Sequence, residues 1–182
     1  MIIAVIYTII AFIYLKPIND HARSRSQNNA ITHLLKTLTK RKYLIGYASS
    51  MVLMLAVWMI LPFNTVFINY NAGISLTQLP YLFLVTGIFT FISAPFIGKW
   101  ADRYGKYKLF VIVSILSLII IPLYTHLTIS PLWLMMICNI VFFTLLGARM
   151  ISLNALITGI PQPQDRGAFM SINASIQQVA GG

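Results

Sequence analysis

The stretch 98–108 carries the residue types with the clearest chemical role in this chain. Its sequence, GKWADRYGKYK, packs five charges between two apolar runs that carry none. Asp102 is its one acid, so its carboxylate can accept hydrogen bonds from a neighbouring cation or lie at the positive end of a helix. The pattern therefore predicts a charged junction between two helices, formed by the residues Gly98, Asp102, Arg103, Gly105, Lys106 and Lys108.

Two glycines and the order of the charges make this pattern specific. Gly98 permits a close approach of two helices, and Gly105 can adopt the positive φ of a tight reversal. The spacing Gly-x-x-x-Asp-Arg-x-Gly-Lys-x-Lys resembles the loop signature of the major facilitator superfamily of secondary transporters, where it recurs between the second and third helices of each six-helix half. Trp100 and Tyr107 depart from that signature. The alternative interpretation is a short cytoplasmic loop that has merely collected cations.

Composition independently indicates a membrane protein. Hydrophobic residues make up 58% of the chain and charged residues 9%, whereas a soluble domain has about 25% charged residues. The net charge is +10, and all the charged residues except Arg149 lie in connections between apolar runs. A nucleic-acid-binding module presents its cations on one face of a soluble fold, so nucleic acid is not an expected partner, and the lipid bilayer is.

Four apolar runs approach the length of about 20 residues that a membrane-spanning helix needs. The terminal runs 1–15 and 167–182 are shorter, and we interpret both as truncated spans. The expected fold is an all-α transmembrane helix bundle whose complete spans cover about 43–65, 78–97, 109–124 and 132–153.

Loop charges predict the orientation of the bundle. The connections 16–42 and 98–108 are rich in Lys and Arg, whereas 66–77 carries no charge. By the positive-inside rule, the basic connections are cytoplasmic, together with the one that holds Asp165 and Arg166. Within 16–42, apolar residues recur with helical spacing at Ile31, Leu34, Leu35 and Leu38, which predicts an amphipathic helix on the membrane surface.

The resemblance also implies where the chain lies in a complete transporter. In that family, a long basic loop joins the two halves, so 16–42 is the expected inter-half loop and 43–182 the C-terminal half-bundle. The chain then runs from the end of helix 6 to the start of helix 11, and its partner is a missing N-terminal half. The alternative is the first half, with the signature between helices 2 and 3.

Polar residues inside the apolar runs are the remaining site candidates. Arg149 is costly at membrane depth and is expected to pair with Asp102; Arg166 is the rival partner, and snorkelling to the interface is the alternative for Arg149. Asn139 and Gln177 are candidates for a substrate pathway, although hydrogen bonding between helices is the commoner role for such amides.

The sequence does not indicate a catalytic site. The three histidines are scattered along the chain, and Cys138 is single within an apolar run, so neither a metal site nor a nucleophile with its base is expected. No cofactor is predicted. The resemblance implies a secondary transporter of small solutes working by alternating access in the plasma (inner) membrane, and we interpret it as an efflux-type permease for drugs or sugars. A multi-span anchor or scaffold protein is the alternative.

Overall fold

The computed structural model describes residues 30–181, and every regular element in that range is an α-helix. Helices satisfy all backbone hydrogen bonds within one segment, which hydrocarbon requires. The predicted truncated span 1–15 and the portion 16–29 of the predicted basic loop lie outside the described residues. The helices are α1 (Ala30–Thr39), α2 (Arg41–Tyr70), α3 (Leu79–Tyr104), α4 (Lys106–Thr125), α5 (Leu132–Ile157) and α6 (Arg166–Gly181).

Four of these helices, α2 to α5, are long and apolar enough to cross a membrane. They overlap the four predicted spans, and each continues past the predicted C-terminal end. The 30 residues of α2 give a rod of about 45 Å, against a hydrocarbon thickness of about 30 Å. Hydropathy marks where a span leaves the apolar layer, whereas the helix continues as long as its backbone bonds are made.

The charged stretch 98–108 lies almost wholly within two helices. Helix α3 continues to Tyr104, α4 begins at Lys106, and Gly105 alone separates them, with φ +96° and ψ 130°. Gly98 and Asp102 therefore lie in the last turns of α3. Residues with a side chain rarely adopt such a positive φ, so the glycine at position 105 makes the reversal possible. We call residues 102–108 the α3–α4 elbow. The end of the bundle that contains this elbow is called the charged end.

Helix α5 forms the centre of the packing, since both α3 and α4 lie against it. The residues from Leu34 onward form one compact unit. Its largest buried side chains include Met135 and Phe142 of α5, and Phe142 stacks on Tyr124 of α4 with 4.5 Å between ring centroids. This core fixes α3, α4 and α5 relative to one another.

Helix α6 packs mainly against α2. Phe169 is fully buried and stacks on Tyr47, with 4.7 Å between ring centroids. Gly46 lets the segments approach closely, because a Cβ added there would lie 3.0 Å from Ile160 Cδ1 and 3.2 Å from Phe169 Cζ. The Ile160 side chain and the Phe169 ring occupy the space that the glycine leaves open.

Candidate functional site

The α3–α4 elbow presents its predicted residues around a shallow cleft. Asp102, Lys106 and Lys108 line it, together with Leu156 at the end of α5. The Lys106 Nζ donates to the backbone oxygen of Ala155 at 3.4 Å, which links the elbow to α5. These charges lie at the end of the bundle where α3 ends and α4 begins.

Asp102 itself is exposed, and no ion pair or side-chain hydrogen bond joins it to another residue in the range 33–181. Arg103 lies instead over the ring of Tyr104, with 5.6 Å from Cζ to the ring centroid. Gly98 does not mark a close helix contact in this structure, because a Cβ added there would meet open space. The elbow is thus an exposed acid surrounded by cations, with its carboxylate available to a partner.

The two arginines proposed as partners for Asp102 lie apart from it. Arg149 is half-buried on α5, and its Nε is buried without a hydrogen-bond partner among the described atoms. Arg166 is exposed at the first residue of α6. Neither forms an ion pair with Asp102 within residues 33–181, so that pairing stays a prediction about another conformation of the protein.

A buried polar network joins four helices towards the opposite end of the bundle. The Tyr124 hydroxyl of α4 lies 2.8 Å from Asn64 Oδ1 of α2 and 2.9 Å from Asn139 Oδ1 of α5. Asn139 Nδ2 donates to Thr86 Oγ1 of α3 at 2.8 Å. Thr86 donates in turn to the Leu82 backbone oxygen at 2.8 Å. One chain of polar atoms therefore ties α2, α3, α4 and α5 together.

Proton counting fixes the direction of these bonds. Because Thr86 gives its only hydroxyl proton to Leu82, it must accept from Asn139 Nδ2, and Asn139 Oδ1 then faces Tyr124. Tyr124 has one proton, which Asn139 Oδ1 accepts. The Asn64 amide is best turned so that its Nδ2 donates to the Tyr124 oxygen, since the two ends of an amide are assigned from such networks. That orientation also gives a partner to an Nδ2 that otherwise has none.

The two candidates for a substrate pathway have different surroundings. Asn139 is fully buried and both of its polar side-chain atoms are hydrogen bonded, which favours the alternative role of joining helices. Gln177 lines an open cleft between α2 and α6, and the lining residues are uncharged: Met54, Trp58, Ala174, Gln177, Gln178 and Gly181. A cleft of this kind offers one flat aromatic ring and two amides to an occupant.

A second cluster at the charged end joins the starts of α2 and α6. Asp165 precedes α6, is 5% exposed, and accepts through Oδ2 from Lys40 Nζ at 2.5 Å and from the Tyr43 hydroxyl at 2.8 Å. The Gln162 backbone N–H donates to the Tyr43 oxygen at 3.2 Å. The hydrogen bond to Asp165 raises the pKa of Lys40 above its ordinary value. We call Lys40, Tyr43 and Asp165 the inner clamp.

Sequence reasoning missed the inner clamp and half of the buried network. Asp165 was noted only as a loop residue, and the hydroxyls of Thr86 and Tyr124 stand in apolar runs where they give little signal. Asn64 and Asn139 were the detectable members of the network, because an amide within a span needs a partner. Within residues 30–181, no group of three His, Cys, Asp or Glu side chains comes together as a metal site.

Comparison with known proteins gives one match. The family model described as Major Facilitator Superfamily matches residues 1–182. The searches of curated proteins and of solved structures gave no match.

Proposed function

The chain belongs to the major facilitator superfamily, a family of transporters, and from that premise we propose that it forms the C-terminal half of a secondary carrier for small solutes. The carrier works by alternating access, in which two helix bundles rock about a central site. In this proposal the complete carrier also has an N-terminal half. That half faces α2 and α6 and covers the cleft between them.

The cleft between α2 and α6 supports this proposal, because the amides of Gln177 and Gln178 lie in its otherwise apolar lining. Trp58 lies near the middle of α2, which runs from Arg41 to Tyr70, so the cleft lies close to the middle of a span. Gln178 is exposed, and its amide lies with that of Gln177 in the lining of the cleft. Because hydrocarbon solvates amides poorly, such a surface at this depth needs water, a substrate or another part of the protein against it.

The composition of the cleft supports an uncharged substrate. None of the described residues that line it is charged, and the Trp58 ring beside Gln177 and Gln178 suits a solute that combines a flat apolar face with hydroxyl or amide groups. Sugars and uncharged drug-like molecules have this chemistry. We propose efflux of such compounds across the plasma (inner) membrane.

The first prediction concerns orientation. Asn71 follows α2, Lys106 lies in the α3–α4 elbow, and both are exposed. In a Cys138→Ala background, a single cysteine at Asn71 is expected to react with a membrane-impermeant thiol reagent on intact cells, because the basic elbow faces the cytoplasm. A cysteine at Lys106 is expected to react only after the cells are opened. Labelling of intact cells at Lys106 but not at Asn71 would reverse the proposed orientation.

The second prediction concerns Arg149 and Asp102 in the complete carrier. We propose that they pair in one conformation of the transport cycle, because Arg149 Nε has no partner here and the Asp102 carboxylate is open to one. Arg149→Ala is then expected to lower transport about as much as Asp102→Asn, and the double variant is expected to be little worse than either. A double-mutant cycle on transport rates measures this, and a coupling below about 0.5 kcal/mol contradicts the pairing.

A further inference from the structure

The junction between α1 and α2 has the features of a lipid-binding surface. Lys40 is the one residue between the two helices, and its ψ of 117° is extended, so α1 leaves the axis of α2 there. Since α2 is a candidate membrane span, α1 turns away where the chain meets the membrane boundary. A short helix that leaves a span in this way can lie along the bilayer surface.

Helix α1 presents an uncovered apolar face. Leu34, Leu35 and Leu38 are 40%, 58% and 40% exposed. They lie within one third of the helix circumference, and Lys36 lies on the opposite side. This division into an apolar face and a basic face is typical of helices that insert leucines just below the headgroups of a bilayer.

Exposed cations surround the junction. Lys36, Arg41 and Lys42 are exposed, and none of them forms an ion pair within residues 33–181. Asp165 is the acid of the inner clamp, where it already accepts from Lys40 and Tyr43. The junction therefore has unneutralised positive charge beside exposed leucines, which is complementary to an anionic headgroup with acyl chains below it.

We propose that the α1–α2 junction binds an anionic phospholipid. Arg41 and Lys42 hold the phosphate of the headgroup, with Lys36 nearby, and the leucines of α1 pack against its acyl chains. Arginine suits this role because its planar guanidinium can donate two hydrogen bonds to one phosphate. The bound lipid fixes the angle between α1 and α2 at the cytoplasmic face.

The test uses the complete 182-residue chain, purified in detergent and stripped of lipid. Phosphatidylglycerol and phosphatidylcholine with the same acyl chains are added, and the bound copies are counted by native mass spectrometry. Wild type is expected to prefer phosphatidylglycerol. Arg41→Gln with Lys42→Gln is expected to weaken its binding about thirtyfold, because each cation at an anionic surface contributes roughly a factor of five. Leu35→Gln is expected to weaken binding without removing the headgroup preference.

A matched variant at the other charged corner provides the control. Lys106→Gln with Lys108→Gln removes the same charge from the α3–α4 elbow. Among the described residues, no surface helix with exposed leucines lines the cleft at this elbow. It is expected to weaken phosphatidylglycerol binding several times less than Arg41→Gln with Lys42→Gln does, because the leucines of α1 that hold the acyl chains adjoin only the α1–α2 junction. Equal losses from the two pairs would overturn the proposal in favour of a general attraction, and so would equal binding of the two lipids. Displacement by inorganic phosphate at the same concentration as the lipid would also overturn it, because the leucines would then play no part.

Discussion

Asp102→Asn in the complete carrier is expected to lower the transport rate by about ten- to a hundredfold while leaving surface expression unchanged. The carboxylate is exposed and unpaired within residues 33–181, and cations surround it in the α3–α4 elbow. We propose that it latches neighbouring helix ends in the outward-facing state. A hydrogen bond to a charged group contributes about 1.5 to 3 kcal/mol. Its loss therefore changes the ratio of the two conformations by about ten- to a hundredfold.

The measurement is initial uptake or efflux in cells, normalised to surface protein. Asp102→Glu is the matched control, since it keeps the charge and is expected to retain more activity than the amide. Transport by Asp102→Asn at the wild-type rate, with wild-type expression, would remove the latch from the account.

Asp165→Ala is expected to cost about 1.5 to 3 kcal/mol of folding free energy. Its carboxylate is almost fully buried and accepts from Tyr43 and Lys40, so its removal leaves the buried Tyr43 hydroxyl without its acceptor. The ion pair itself contributes the smaller share, because the Lys40 side chain is 46% exposed and water replaces much of the lost attraction.

The free energy of unfolding can be measured by titrating the purified chain with SDS in mixed micelles. Asp102→Ala is the matched control, because it removes an exposed acid that has no ion pair among the described residues. An exposed substitution of that kind is expected to change stability by less than about 0.5 kcal/mol. If the two variants were equally stable, the inner clamp would make no contribution to folding.

The sequence predicts the helices well because the bilayer imposes a length and an apolar composition on every span. It also predicts Gly105 as the point of reversal, since few other residues adopt that backbone conformation. It fails at the continuation of α3 through Asp102 and Arg103. Those side chains are charged because they lie beyond the hydrocarbon, and leaving the hydrocarbon does not end a helix.

The contacts between distant segments could not be predicted from the chain alone. Lys40 and Asp165 are 125 residues apart, and no local spacing announces their pairing. The buried network likewise depends on how four helices are rotated about their axes, which determines that Asn139 faces Thr86 and Tyr124. Hydropathy gives the length of a span but not its rotation, so Asn139 and Gln177 were equally plausible pathway residues before their surroundings were known.

We propose that the cleft between α2 and α6 opens to each side of the membrane in turn. A single cysteine at Gln177 in a Cys138→Ala complete carrier tests it most directly, because Gln177 lines that cleft. Right-side-out and inverted vesicles are treated with a membrane-impermeant thiol reagent, and the extent of labelling is compared. Alternating access predicts that the cysteine reacts from both sides, and that a bound substrate slows the reaction. Labelling from one side only, or from neither, would contradict the account and favour a static membrane scaffold.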